Sequence, residues 1–142
     1  MSNSRLCALA LIVASAFPTI ALAAPLDGAG PSAVVTRHVA AFAAHDVDGL
    51  MGDYADDVVA VLPDQVIQGK AALRGWFVQF FATPGPAFTA SLDKVEGDVG
   101  STHWIANPGA PGAVQGYDVF VVHGGKIAFQ TSMGVGPVAK PK

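Results

Sequence analysis

The apolar positions recur with two different periods along the chain. The change from one period to the other separates a helical part from a strand-rich part. Apolar residues recur at helical spacing over 32–44 and again over 70–81. Pro31 suits the first turn of the earlier helix, and Asp46 can cap a second, shorter helix over 47–54. The sequence therefore predicts three helices in its first part.

Strands are predicted both between these helices and after them. The β-branched run 58–62 ends at Pro63 and predicts a buried strand, followed by a turn and a short return strand. Beyond the third helix, apolar segments separated by turn residues predict four further strands, over 87–95, 102–106, 114–122 and 126–133. Gly124 and Gly125 divide the last two, which is typical of a tight hairpin because glycine adopts positive φ without strain.

This order of elements indicates an α+β fold with three N-terminal helices packed on one curved, mixed or antiparallel sheet. A sheet covered on one face by helices forms a cone, and the mouth of the cone is where we expect a ligand. Asp56 and Asp57 begin the first long strand, where short carboxylates satisfy local backbone amides and face water. We interpret them as structural rather than catalytic.

The first residues have the pattern of an export signal. Arg5 precedes an apolar run over 6–17 that is too short to span a membrane. Small residues at Ala21 and Ala23 match the spacing that signal peptidase cuts, so we expect cleavage after Ala23, with an uncleaved anchor as the alternative. The predicted divisions are a signal peptide over 1–23, a linker over 24–31, a domain over 32–136 and a tail over 137–142.

Composition narrows the classes of function. A chain of 142 residues, 51% hydrophobic and 13% charged, fits one compact domain. Loss of the signal would remove Arg5 and change the formal charge from −3 to −4, which offers nucleic acid no basic patch. Cys7 lies inside the signal, so the exported chain would contain no thiol. We expect a periplasmic or secreted protein that contacts a membrane only through its signal peptide.

Neither a metal nor a cofactor is predicted. The four histidines are too scattered for a metal-binding pattern, and no thiolate is left to assist them. The segment "GAGPSA" lacks the strand-to-helix context of a phosphate-binding loop.

Three segments carry a resemblance to a known family. "HVAAFAAHDVDGLMGDYADDVVAVLP", "VIQGKAALRGWF" and "YDVFVVHGGKI" resemble the nuclear transport factor 2-like superfamily, which includes SnoaL-like and ketosteroid isomerase-like domains. The similarity extends from about Val34 to Met133. It implies a cone-shaped α+β barrel that often dimerises through its exposed sheet face, whereas functions in the superfamily vary widely.

The steroid isomerases of this superfamily supply a template for the site. They use an aspartate base on the first long strand, just before a proline, with a helix-one tyrosine and a protonated aspartic acid as oxyanion donors. The resemblance places Leu62 at the base, His38 at the tyrosine and Asp118 at the acid. Leucine accepts no proton, so the classical mechanism lacks its base. Asp64 remains open as a displaced base or a solvated turn residue.

His38 and Asp118 are therefore the candidate catalytic pair. Asp118 lies in an apolar strand, where it either faces the cone as a carboxyl of raised pKa or faces solvent by alternation. His38 either moves protons in the cone or is a hydrogen-bonded core histidine. The candidate ligand-binding residues, each with ordinary core or turn packing as its alternative, are Trp76, Phe80, Phe88, Trp104, Leu62 and Asn107.

Three functions follow from these candidates. The first is a binding domain whose apolar pocket holds a small hydrophobic or carbonyl-containing molecule. The second is an isomerase, cyclase, dehydratase or hydrolase that uses His38 and Asp118 for proton transfer. The third is a homodimeric assembly module, with Tyr117, Val119 and Val121 on the outer sheet face if Asp118 points inward.

Overall fold

The computed structural model describes residues 28–139, so the predicted signal peptide, the first half of the predicted linker and the last half of the predicted tail lie outside the described residues. Helices and strands follow one another in the predicted order, and each helix boundary lies within one residue of its predicted position. The elements are α1 Pro31–Ala43, α2 Val47–Asp53, β1 Tyr54–Leu62, β2 Gln65–Gln68, α3 Lys70–Ala82, β3 Phe88–Glu96, β4 Val99–Ala106, β5 Val114–His123 and β6 Lys126–Pro137.

The region between α2 and β1 differs from the prediction in one respect. Asp46 caps α2 as expected, its side chain accepting from the Gly49 amide at 2.9 Å. The strand β1 then begins at Tyr54, four residues before the predicted start, because an irregularity in its pairing with β6 accommodates the two acids. Asp56 is exposed and pairs with Lys70 at 2.7 Å.

One mixed sheet holds all six strands, in the order β2-β1-β6-β5-β4-β3. The strands β1 and β6 are parallel, and every other pair is antiparallel. Gly124 and Gly125 form the two-residue turn between β5 and β6, with φ of 56° and 75°. Three helices packed on this open sheet confirm the predicted α+β class and the cone shape.

Alternation along β5 separates the inner face of the sheet from the outer one. Phe120 and Val122 are buried against the helices, where they meet Val34 and Val35 of α1 in the core. Asp118 shares that inner face because side chains two residues apart on a strand point the same way. Among residues 28–139, no helix is long and apolar enough to cross a membrane.

Candidate functional site

A cavity of about 350 Å³ lies between α1, α3 and the inner face of the sheet. Aromatic and aliphatic side chains make up most of its wall. The lining residues are His38, Val39, Phe42, Ala60, Leu62, Pro63, Asp64, Leu73, Trp76, Phe77, Phe80, Phe88, Ala90, Thr102, Trp104, Asp118, Phe120, Gln130, Ser132 and Gly134. A concave, mainly apolar wall with a few polar groups is the usual form of a small-molecule site.

The structure brings seven of the eight sequence-predicted site residues to this cavity. They are His38, Asp118, Leu62, Trp76, Phe80, Phe88 and Trp104. Asn107 is not part of the lining: it is exposed in the turn after β4, with a φ of 52°, and its amide donates to the Ala87 carbonyl at 2.7 Å. Its position is that of the turn residue which the sequence left as the alternative.

The aromatic part of the wall runs from α3 to the sheet. Trp76 and Phe80 are one helical turn apart on α3, and their rings stack with centroids 4.9 Å apart. Phe88 at the start of β3 lies 6.0 Å from Phe80 and 6.1 Å from Trp104, measured between ring centroids. These four rings form a continuous apolar surface.

Asp118 is a carboxyl on this wall flanked by neutral hydrogen-bond donors. Thr102 lies opposite it on β4 and donates to Oδ2 at 3.4 Å, and Ser132 lies opposite it on β6. Burial raises the pKa of Asp118, while hydrogen bonding by Ser132, Trp104 and Thr102 opposes that rise. The carboxyl is thus partly desolvated and has neutral protein partners.

Trp104 reaches Asp118 because two glycines make room for its indole. Gly116 lies directly opposite Trp104 on β5, and a Cβ placed there would be 2.2 Å from Cζ2 of the indole. Gly134 lies opposite Gly116 on β6, where a Cβ would be 3.8 Å from Cη2. The indole N–H is buried and has no hydrogen bond of regular geometry within the described residues. It nevertheless favours the charged form of Asp118 and so acts to lower the pKa of that carboxyl.

His38 belongs to a buried polar chain in which His38 and Gln130 line the cavity and Tyr54 lies behind them. The Tyr54 hydroxyl donates to Oε1 of Gln130, and its oxygen lies 3.5 Å from Nε2 of His38. Since the hydroxyl proton is directed to Gln130, Nε2 of His38 is assigned as the donor to Tyr54. Nδ1 of His38 is then a buried acceptor with no partner among residues 28–139.

Burial determines the protonation states of His38 and Tyr54 in this polar chain. Burial lowers the pKa of His38 to about 3, so its imidazole is neutral near pH 7. Burial, then the charges of Asp118 and Asp53, raise the pKa of Tyr54 well above its usual value, so the phenol keeps its proton. His38 and Asp118 line the same cavity without a hydrogen bond between them. The charge of Asp118 acts instead on Tyr54, whose pKa it raises.

Leu62, which the resemblance places where steroid isomerases have their base, lies on β1 and lines the cavity with an aliphatic side chain. Asp64 is exposed in the turn after it and contributes to the mouth of the cavity. Sequence reasoning missed Tyr54, Gln130, Thr102 and Ser132. Alternation on neighbouring strands could have identified Thr102, because it lies opposite Asp118.

Charged side chains elsewhere form ion pairs outside the cavity. Arg37 binds the buried Asp53, with Nε donating to Oδ1 at 2.6 Å, whereas the Lys70 and Arg74 pairs lie nearer the surface. Within the described part of the chain, no group of three or more histidine, cysteine, aspartate or glutamate side chains is placed to hold a metal ion.

Comparison with known proteins places the architecture. The model of the SnoaL-like domain matches residues 35–130. No curated protein matches the sequence. A nuclear transport factor 2-like protein from Burkholderia xenovorans is 20% identical with a TM-score of 0.62, over 77% of this chain and 85% of that one.

Two further structures have the same fold. A provisionally assigned polyketide cyclase from Pseudomonas putida is 18% identical with a TM-score of 0.59, over 75% of this chain and 92% of that one. A protein of ketosteroid isomerase-like fold from Catenulispora acidiphila, in complex with trimethylamine, is 20% identical with a TM-score of 0.59, over 74% and 86%. At such identities the likeness carries the fold alone. The family match spans most of the described residues, and the chain therefore belongs to the SnoaL-like domain family.

Proposed function

We propose that this protein binds a small, largely apolar molecule in the cavity between its helices and its sheet, and that the polar group of the ligand lies at Asp118. One observation carries the proposal: an aromatic cavity of about 350 Å³ contains a partly desolvated carboxyl in its wall. Such a cavity would release ordered water on binding, and the carboxyl would orient the ligand. The Catenulispora acidiphila neighbour, solved with trimethylamine, supports a small-molecule role for this fold.

The composition of the wall favours binding over turnover. Leu62 provides no proton acceptor, and His38 is held neutral by burial. A general base must be able to take a proton near the working pH, which an imidazole with a pKa of about 3 does poorly. Asp118 remains as a polar anchor rather than half of an acid–base pair.

Filling the cavity tests the proposal. Ala90 lines the cavity from β3, whereas its neighbour Ser91 is exposed on the other face of the strand. We expect Ala90→Trp to abolish retention of small molecules in native mass spectrometry of the purified protein, while Ser91→Trp retains them. Equal retention in both variants, or no retained mass in the parent protein, would contradict the proposal.

A second candidate is an enzyme of the isomerase, cyclase, dehydratase or hydrolase kind. It is favoured by the placement of His38 and Asp118 on one cavity, with Tyr54 behind them. A panel of enolisable ketones and lactones should then show turnover that both His38→Gln and Asp118→Asn remove. Undiminished rates in the two variants would exclude this mechanism.

Dimerisation through the outer face of the sheet is also proposed. Met133 is half exposed there, and Tyr117, Val119 and Val121 are only partly buried. Covering such a patch with a second copy would bury apolar area. Sedimentation should give a dimer that Val119→Arg dissociates; a monomer at every concentration would exclude the interface.

Export through residues 1–23 is the remaining part of the proposal. The apolar run and the small residues before Ala24 support it. Expression in a Gram-negative host should yield periplasmic protein whose N-terminal sequence begins at Ala24. Recovery of the intact N-terminus in the membrane fraction would favour the uncleaved anchor.

A further inference from the structure

The charge inventory of the cavity has one sign. Asp118 lies in the wall and Asp64 at the mouth, and the described residues that form the lining include no lysine or arginine. The cations Arg37, Lys70 and Arg74 are paired with carboxylates away from the lining. An anionic ligand would therefore meet two acids and no counter-charge.

Asp118 itself has no cationic partner among residues 28–139. Thr102, Ser132 and Trp104 offer it only neutral donors. A carboxylate removed from water is stabilised far better by an opposite charge than by neutral hydrogen bonds alone. The burial that raises its pKa is the sign of this incomplete compensation.

The aromatic rings of the cavity wall also favour a cationic ligand. Trp76 and Phe80 present a stacked pair to the cavity, and Phe88 and Trp104 form an edge-to-face pair on the sheet side. The faces of such rings carry partial negative charge and attract organic cations, most strongly where water is excluded. The carboxylate and the rings thus select for the same kind of ligand.

We propose that the ligand is an organic ammonium ion, with its protonated amine at Asp118 and its alkyl or aryl part against the aromatic wall. This inference rests on the proposed small-molecule function and names the class of ligand. The competing arrangement is a protonated Asp118 that donates to the carbonyl of a neutral ligand. The two differ in which member of a matched ligand set binds tightest.

Isothermal titration of the whole chain at pH 7 separates them. Four probes are compared. The ketone is benzylacetone, the amine and the alcohol share its carbon skeleton, and the anion is hydrocinnamate. We expect the amine to bind about ten-fold or more tightly than the ketone or the alcohol, which is the size of a charge-assisted contact, and hydrocinnamate to bind weakest.

Variants assign the preference to a residue. Asp118→Asn should remove the advantage of the amine and leave the affinity for the alcohol within about two-fold, whereas Asp57→Asn, an exposed acid outside the lining, should keep the ranking. If Asp118→Asn does not fold, the ranking measured on the parent chain still decides.

Three results would overturn the inference in distinguishable ways. Ketone or alcohol binding as tightly as the amine excludes the ammonium ligand and leaves the small-molecule function standing. Absence of binding by all four probes contradicts the ammonium ligand, and retention of a small molecule in native mass spectrometry then decides separately on the proposed function. Loss of the amine advantage in Asp64→Asn but not in Asp118→Asn places the cation at the mouth and also overturns the assignment.

Discussion

Gly116 is the position at which a single methyl group should disturb both the stability and the site. A Cβ there would lie 2.2 Å from the Met133 carbonyl oxygen and 2.2 Å from Cζ2 of Trp104. Gly116 does not adopt a positive φ, so the backbone itself would accept alanine. The expected effect of Gly116→Ala is therefore purely steric.

The magnitude follows from how these two neighbours can move. Ordinary contacts of this kind lie at about 3.5–4 Å, so each neighbour must shift by more than an ångström. Overpacking costs about 1–3 kcal/mol, and we expect the upper end because the Met133 carbonyl is fixed in the β5–β6 ladder. For a domain of this size, about 3 kcal/mol lowers the melting temperature by roughly 10 °C or more.

Gly134 provides the matched control. It lies opposite Gly116 in the β5–β6 pairing, yet the nearest atom to its added Cβ would be Cη2 of Trp104 at 3.8 Å, an ordinary contact. We expect Gly134→Ala to leave the free energy of unfolding within about 0.5 kcal/mol of the parent. Urea unfolding monitored by tryptophan fluorescence measures both variants.

A double-mutant cycle measures how much of the Gly116→Ala penalty comes from the clash with the Trp104 indole. In a Trp104→Ala background, Gly116→Ala should cost less, because only the clash with the Met133 carbonyl remains; a coupling of about 1 kcal/mol or more is expected for groups in direct contact. Equal penalties in Gly116→Ala and Gly134→Ala, or the absence of coupling, would refute the seating of the indole on Gly116.

Three further predictions concern the buried polar groups. Because the folded-state pKa of His38 is about 3 and its unfolded value 6.5, the unfolded chain takes up a proton first as pH falls. The parent should therefore lose about 2 kcal/mol more than His38→Phe between pH 7 and pH 5, by urea unfolding at both values; equal losses would contradict this. Tyr54→Phe removes a buried donor and should cost about 1–3 kcal/mol, whereas Tyr117→Phe on the outer face should cost under about 0.5 kcal/mol. Arg37→Met should cost up to about 3 kcal/mol, the low end for a buried pair because Arg37 itself is half exposed, and adding Asp53→Asn should recover part of it; no recovery would locate the cost in lost packing.

The fold was predictable from the sequence because apolar spacing decides between helix and strand, and the boundaries of α1 and α3 follow directly from it. The ends of β3 and β5 also lie within one residue of prediction, but the starts of β1 and β4 and the end of β6 do not. β1 reaches back to Tyr54 through a pairing irregularity around the two acids, which local propensity does not encode. Tyr54 was accordingly assigned to the end of a helix, and its link to His38 was missed.

The neighbours of Asp118 show a second limit. The Gly124-Gly125 turn pairs His123 with Lys126, and continuing that register along β5 would place Thr131 opposite Asp118. A shift between Val121 and Val122 moves the register by one residue, so Ser132 occupies that place instead. A bulge of one residue thus decides whether the hydroxyl of Thr131 or that of Ser132 lies opposite the Asp118 carboxyl. The sequence of the segment does not predict this bulge.

The absence of a carboxylate at Leu62 changes what Asp118 can do. In an isomerase site, two acids divide the work because their environments move their pKa values apart. At the position that the resemblance assigns to the first acid this chain has Leu62, and Asp118 has neutral donors around it in an apolar wall. Without a proton acceptor at position 62, Asp118 can hold a cation or a hydrogen-bond partner but has no second carboxylate on β1 to complete a proton transfer. Contacts of that kind contribute affinity rather than rate enhancement, which is why we propose a binding domain.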